Sequence, residues 1–206
     1  ITERKDGLLQ IRVREAVSGK EHYLDFGEPA YTAYVSGNPE FNSTMLRYSY
    51  TSLTTPNSVF DYDMNARSKK LMKEQPVLGG FDKNDYQTER IFVAARDGAK
   101  VPVSIVYKKG TPKNGTAPLL LYSYGAYGYS TDAGFNSSRL SLLDRGFVFA
   151  IAHIRGGQEM GRQWYEDGKL LKKKNSFTDF IDCGEALIKE KYTSIQPSVQ
   201  WKFNEA

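Results

Sequence analysis

The apolar residues of this chain keep two different rhythms, and the change near residue 75 constrains the fold more than any other feature. Before it they alternate in short runs: Leu9-Ile11-Val13, Tyr31-Ala33-Val35, Leu46-Tyr48-Tyr50, and Val59 with Tyr62. Successive side chains of a strand point to opposite faces, so this alternation marks strands with one buried face. Ser18-Gly19, Gly37-Asn38-Pro39 and Thr55-Pro56-Asn57 break the runs where the chain must turn. Short antiparallel strands at this spacing suit a sandwich or one to two propeller blades, and no internal repeat decides between them.

Glu74 to Asp85, with Pro76, Gly79 and Gly80, reads as a linker. Beyond it, Ile91-Phe-Val-Ala and Val101-Pro-Val-Ser-Ile-Val-Tyr flank Asp97-Gly98, a strong hairpin signal. Leu119-Leu-Leu-Tyr and Phe147-Val-Phe-Ala-Ile-Ala are continuous apolar runs, as in strands buried on both faces of a mainly parallel sheet. Ser138 to Asp144 predicts a short helix stopped by Gly146. Ser176-Phe-Thr-Asp179 has the form of a capping box, opening a helix whose apolar stripe is Phe177, Phe180, Ile181, Gly184, Leu187 and Ile188. Strand and helix in alternation imply an α/β layer architecture.

Composition excludes more than it selects. The 28 basic residues are nearly matched by 24 acidic ones spread along 206 residues, which argues against nucleic acid as a partner. The basic run Lys169 to Lys174 reads as a solvated loop. One cysteine, Cys183, permits no internal disulfide framework and fits a reducing compartment, so a cytoplasmic location is expected. Neither a metal-binding Cys/His cluster, a cofactor motif nor a membrane-spanning apolar stretch is evident. The start, Ile1-Thr-Glu-Arg, reads as the interior of a longer chain.

Two segments lie where chemistry is expected, just after the buried strands. Leu121-Tyr-Ser-Tyr-Gly-Ala-Tyr-Gly-Tyr129 combines glycines, which let backbone approach a ligand, with tyrosine hydroxyls able to donate to a developing oxyanion. Taken by itself it reads more as an aromatic turn that packs than as a site. In His153-Ile-Arg-Gly-Gly-Gln-Glu-Met-Gly161, Arg155 and Glu159 could bind a substrate charge or each other, and His153 reads as a hydrogen-bonded core residue more than a base. Glu166 and Asp167 are adjacent and so do not face one another as a catalytic pair would. No Gly-x-Ser-x-Gly elbow occurs.

Phe26-Gly-Glu-Pro-Ala-Tyr31, Gly37-Asn-Pro-Glu-Phe41, Tyr48-Ser-Tyr-Thr-Ser-Leu-Thr-Thr-Pro56, Tyr122-Ser-Tyr-Gly125, Ser138-Arg-Leu-Ser-Leu-Leu-Asp-Arg-Gly-Phe-Val148, Ile154-Arg-Gly-Gly157 and Gln163-Trp-Tyr-Glu-Asp-Gly-Lys169 follow one another in order. Together they resemble the oligopeptidase B group of the prolyl oligopeptidase family of serine peptidases, from near the start to Ser194. The resemblance implies a mixed fold: the C-terminal part of a β-propeller over 1–75, a linker over 76–88, and the N-terminal half of an α/β-hydrolase domain over 89–206, with a divergent tail from 195. It implies that Tyr124 assists the oxyanion hole with its hydroxyl, that Tyr127 forms a wall of the substrate pocket, and that Asp132 lies in the loop of acidic subsite residues. Short peptides cut after Lys or Arg would be the substrates.

This sequence also departs from the pattern. Gly134 stands where a second acid is often found, and Gln158 replaces the third glycine of Arg-Gly-Gly-Gly-Glu. From Ile195 the chain no longer follows the family toward Gly-Gly-Ser-Ala-Gly-Gly; the nucleophile position falls near Asn204, Ser198 has no elbow, and neither His22 nor His153 matches the catalytic histidine. The Ser/Asp/His triad is therefore absent, and the chain alone is expected to be inactive. The alternating tail Val199, Trp201, Phe203 reads as an edge strand or a loose end, and an exposed sheet edge would favour self-association. A non-catalytic binding or regulatory protein reusing the scaffold is the alternative reading.

Overall fold

The computed structural model describes residues 1–195 and the strand residues 199–203. The first part forms two small antiparallel sheets. Strands β1 (Thr2–Lys5), β2 (Leu8–Arg14) and β3 (Glu21–Tyr23) make one. A four-stranded meander makes the other: β4 (Tyr31–Val35), β5 (Met45–Ser52), β6 (Ser58–Asp63) and β7 (Ser68–Glu74). A four-stranded meander is the unit from which propellers are built. Ile11, Phe26, Tyr31, Ala33, Tyr48, Tyr50 and Tyr62 bury the alternating faces in a shared core. β1 and β7 have no apolar alternation to announce them; β7, Ser-Lys-Lys-Leu-Met-Lys-Glu, is exposed throughout and is held by its pairing to β6.

The Glu28 carboxylate organises the turn after β5. It accepts hydrogen bonds from Ser52 Oγ at 2.9 Å, Thr54 Oγ1 at 2.8 Å and Thr55 Oγ1 at 2.9 Å, and from the Tyr50 hydroxyl. Four donors on one carboxylate satisfy about all of its lone pairs. Burial and this bond push the Tyr50 phenol far up from its usual range.

After the connecting segment, β8 (Tyr86–Ala94) and β9 (Lys100–Lys108) form a hairpin closed at Asp97-Gly98. β8 takes up residues 86–88, which the sequence reading left in the linker, because Tyr86 is buried, donates to Asp144 Oδ1 at 3.0 Å, and stacks on Phe81. β10 (Leu119–Ser123), α1 (Ser137–Leu143), β11 (Val148–Ala152), α2 (Arg162–Glu166), α3 (Lys174–Lys189) and β12 (Val199–Phe203) complete the chain. The sheet order is β12-β10-β11-β9-β8. β12, β10 and β11 run parallel, but β11–β9 and β9–β8 are antiparallel, so the sheet is mixed where a mainly parallel one was expected. The tail is thus an edge strand from 199 to 203; Ser198 and Asn204 lie outside the described residues.

Both faces of this sheet are covered, and period-two alternation decides which residue serves which face. Val101, Val103, Ile105, Leu119, Leu121, Val148, Ala150 and Ala152 pack against Phe180, Cys183 and Leu187 of α3. Val106, Phe149 and Ile151 meet Leu143 of α1 together with Ala30 and Leu53 from the propeller part. The second face is therefore shared between the two parts of the chain. Leu121 is fully buried at the centre; we expect Leu121→Ala to cost about 2–5 kcal/mol by urea unfolding, the range for a truncated core leucine.

Two features of α3 differ from the sequence reading. Ser176 is not a cap: the helix starts at Lys174, and Ser176 Oγ donates to the Arg155 carbonyl at 2.7 Å. The buried face is Ser176, Asp179, Phe180, Asp182, Cys183, Gly184 and Leu187, whereas Phe177 and Ile181 are exposed. Ion pairing of Asp179 and Asp182 to the hairpin and the neighbouring loop turns the helix to this face.

Candidate active site

The chain leaves β10 toward α1 on one face of the sheet and leaves β11 toward α3 on the other. Loops that depart in opposite directions from adjacent parallel strands open a crevice at the carboxyl ends. Both segments singled out in the sequence, 121–129 and 153–161, reach this end, the first as part of a loop over 124–134. Ser123 Oγ donates to the Ala152 carbonyl at 2.8 Å and pins the two strand ends together.

Arg155 is the fastener of this end. Its Nε and Nη2 donate to Asp179 at 2.9 and 2.6 Å, its backbone N–H adds a third bond to Asp179 at 3.0 Å, and Nη1 reaches Asp97 at 2.6 Å. One guanidinium thus joins the 153–161 loop, α3 and the β8–β9 turn. Asp179 is fully buried and Arg155 nearly so, while Asp97 is well exposed. The hydrogen bond to Asp179 raises the Arg155 guanidinium pKa further, and the same guanidinium holds the Asp97 carboxyl below its usual range. Arg96 repeats the tie one residue away, pairing with Asp182 at 2.6 Å. Arg155 therefore binds neither Glu159 nor an open site, the two options its sequence left.

Glu159 turns inward instead. It is buried, and Oε1 accepts from the Thr131 backbone N–H at 2.8 Å. His153 is a core residue, with Nε2 at 2.8 Å from Ser104 Oγ. Glu166 and Asp167 are no catalytic pair: Glu166 pairs with Arg162 and Lys169, and Asp167 with Lys172 at 2.6 Å. The basic run is not wholly solvated, since Lys173 Nζ donates to the Gly125 carbonyl at 2.7 Å.

The 124–134 loop sits directly on the 153–161 loop. Gly128 N–H donates to the Gly156 carbonyl at 2.9 Å, and the Gln158 side chain lies against Gly128. Gly156 has φ +102°, and a Cβ there would overlap the Gly125 carbonyl oxygen. Only glycine permits that approach. Tyr127 at the tip is 72% exposed and has φ 53°, a left-handed conformation that costs a non-glycine residue about 1–2 kcal/mol. The loop holds it there through the Gly128 bond and through Tyr129 N–H to the Ala126 carbonyl at 3.0 Å. A pocket of about 340 Å³ lies beside it, lined by Tyr127, Tyr165, Leu170 and Lys173 among others.

The Tyr124 ring packs edge-on against Tyr129, with centroids 5.5 Å apart, and its hydroxyl makes no hydrogen bond among the described residues. Asp132, in contrast, is committed: Arg4 donates to both carboxylate oxygens at 2.8 and 2.9 Å, and the Tyr34 hydroxyl donates at 2.6 Å. Tyr124, directly after β10, and Tyr127 share one loop, whereas Asp132 on the same loop pairs with the propeller part.

Comparison with known proteins closes the question of kinship. Residues 1–75 match the model of the prolyl oligopeptidase N-terminal β-propeller domain, and residues 133–200 match that of the prolyl oligopeptidase family. The chain belongs to the prolyl oligopeptidase family. It is 48% identical over 195 residues to dipeptidyl aminopeptidase BI of Pseudoxanthomonas mexicana, which covers 94% of this chain and 27% of that relative. Protease 2 of Moraxella lacunata is 41% identical over 194 residues, 94% of this chain and 28% of the relative. Oligopeptidase B from Trypanosoma brucei with covalently bound antipain, in a closed form, superposes with a TM-score of 0.86 at 38% identity, covering 98% of this chain and 30% of that one. The chain thus spans under a third of these relatives' length, and the family is one of serine peptidases. The fold is that of propeller strands followed by the start of the hydrolase domain.

The sequence reading missed Asp97, Asp179 and Asp182 as partners of Arg155 and Arg96. A signal was present: two carboxylates three residues apart, beside Phe180 on the buried face, require cationic partners. Magnitudes separate the two ends of the Arg155 bridge. We expect Asp179→Ala to cost about 3–5 kcal/mol, because it strands a buried guanidinium. Asp97→Ala, at the wet end, should cost under about 1 kcal/mol. Urea midpoints of the two variants check the contrast.

Proposed function

We propose that this chain supplies the substrate-side wall of a serine peptidase of oligopeptidase B type, whose parent hydrolyses short peptides after Lys or Arg. The observation that carries the reading is the loop at the sheet's carboxyl end, which carries Tyr124, whose hydroxyl has no hydrogen-bond partner among the described residues, and, three positions on, a strained, outward Tyr127. Strain of this kind persists only where surrounding structure enforces it, and it gathers at functional sites. In the proposed role Tyr124 donates to the scissile carbonyl oxygen as charge develops there, and Tyr127 flanks the side chain that precedes the bond. Asp132 is the acidic group of a neighbouring subsite.

The 206 residues hold no Gly-x-Ser-x-Gly elbow, so by themselves they have no nucleophile to activate and are inactive. Self-association through the outer edge of β12 and a cytoplasmic setting, the latter resting on one buried unpaired Cys183, belong to the same proposal.

The test is a chimera in which these residues replace the matching segment of the Trypanosoma brucei oligopeptidase B. We expect cleavage after Arg or Lys in short fluorogenic peptides, and a loss of roughly 10²–10³-fold in kcat for Tyr124→Phe, the size of one lost oxyanion donor. Preferential release of N-terminal dipeptides would favour the activity in the name of the Pseudoxanthomonas relative. The isolated 206-residue chain should take up no fluorophosphonate label; a labelled serine contradicts the proposal.

A further inference from the structure

The one carboxylate proposed to receive a basic substrate side chain already holds a basic side chain of this chain. Arg4 Nη1 and Nη2 sit on Asp132 Oδ1 and Oδ2 at 2.8 and 2.9 Å, the paired geometry that an arginine substrate would adopt. Tyr34 fills a third acceptor position at 2.6 Å. A carboxylate offers about four such positions, so a second guanidinium has no bidentate place while Arg4 stays.

The arrangement is built, not incidental. Arg4 lies on β1 opposite Leu9, and the β1–β2 turn is the two-residue Asp6-Gly7 type with positive φ at both positions, 51° and 83°. The carbonyl of Asp6 is held by Arg90, whose guanidinium lies over the Phe92 ring with 5.0 Å to its centroid. Arg4 is therefore presented from a rigid hairpin fixed to β8. Both members of the pair are only about one-fifth exposed, at 22% and 19%.

We propose that Arg4 is a specificity-determining residue: its guanidinium occupies Asp132 as a resident basic side chain, and a substrate's Lys or Arg gains that carboxylate only by displacing it. This rests on the reading of Asp132 as a subsite. Two consequences follow from charge alone. An incoming cation meets a carboxylate already neutralised, so the subsite prefers basic over neutral side chains less than a bare carboxylate would. Displacement also breaks the tie between β1 and the 124–134 loop, while Arg90 keeps the hairpin on β8.

The test measures binding of N-acetyl-Arg-Arg-amide, and of its citrulline counterpart, to the 206-residue chain by calorimetry. We expect Arg4→Gln to bind the arginine peptide at least tenfold more tightly than the unmodified chain, with no gain for the citrulline peptide, and Arg4→Lys to fall between. Asp132→Asn should abolish the difference between the two peptides. If Arg4→Gln binds no tighter while Asp132→Asn still weakens binding, Arg4 is no competitor and the subsite reading stands. If Asp132→Asn added to Arg4→Gln leaves binding unchanged, or Arg4→Gln fails to bind, the subsite reading itself falls, and this inference with it. Should Arg4→Gln unfold, NMR of the arginine side chains in the unmodified chain decides: saturating peptide must shift the Arg4 guanidinium signals to those of a free side chain, and unmoved signals overturn the proposal.

Discussion

The buried pair of Arg155 with Asp179 is the contact on which the rest of this end of the molecule depends. A guanidinium nearly removed from water is tolerable only when its donors are satisfied, and here they are taken by two carboxylates from two other segments. The requirement works in reverse as geometry. Satisfying Arg155 dictates where the β8–β9 turn, the loop after β11 and the first turns of α3 lie relative to one another. It also turns α3 so that Asp179 and Asp182 face inward and Phe177 and Ile181 face out.

The loop carrying Tyr124 and Tyr127 inherits its position from that fastening. Its tip has little packing of its own: Tyr127 is exposed, and its backbone is in a conformation that isolated tyrosine avoids. What keeps it in place is the surface beneath it, made by the Gly156 carbonyl, Lys173, Glu159 and the Gln158 side chain. The strained upper loop is thus held by a loop that is itself fastened by the Arg155–Asp179 pair. Such a division lets a loop tip stay open to a ligand while remaining fixed in space.

Much of the fold was legible in the sequence because it rests on periodicity. Alternation marked β2, β4 and β5, continuous apolar runs marked β10 and β11, and Asp97-Gly98 marked the hairpin. β7 was illegible because its stability comes from a neighbour's backbone and not from burial. The buried face of α3 is hidden from apolar periodicity because Asp179 and Asp182 belong to it. The candidate loops were visible from glycines and tyrosines placed after buried strands, but their mutual contact was not. A hydrogen bond from Gly128 to Gly156 and a carboxylate reaching Thr131 join residues far apart in sequence, which no local pattern encodes. Asp132 shows the same limit, since its partner Arg4 is 128 residues away.

The central claim, that the Arg155–Asp179 pair holds the Tyr124–Tyr127 loop through the loop beneath it, is most directly tested by amide hydrogen exchange in an Asp179→Asn chain. The account predicts faster exchange at Gly128 and Thr131, whose partners ride on the Arg155 loop, with the β4–β7 meander unchanged. Unaltered protection at Gly128 and Thr131 in a variant that has lost the ion pair would contradict it.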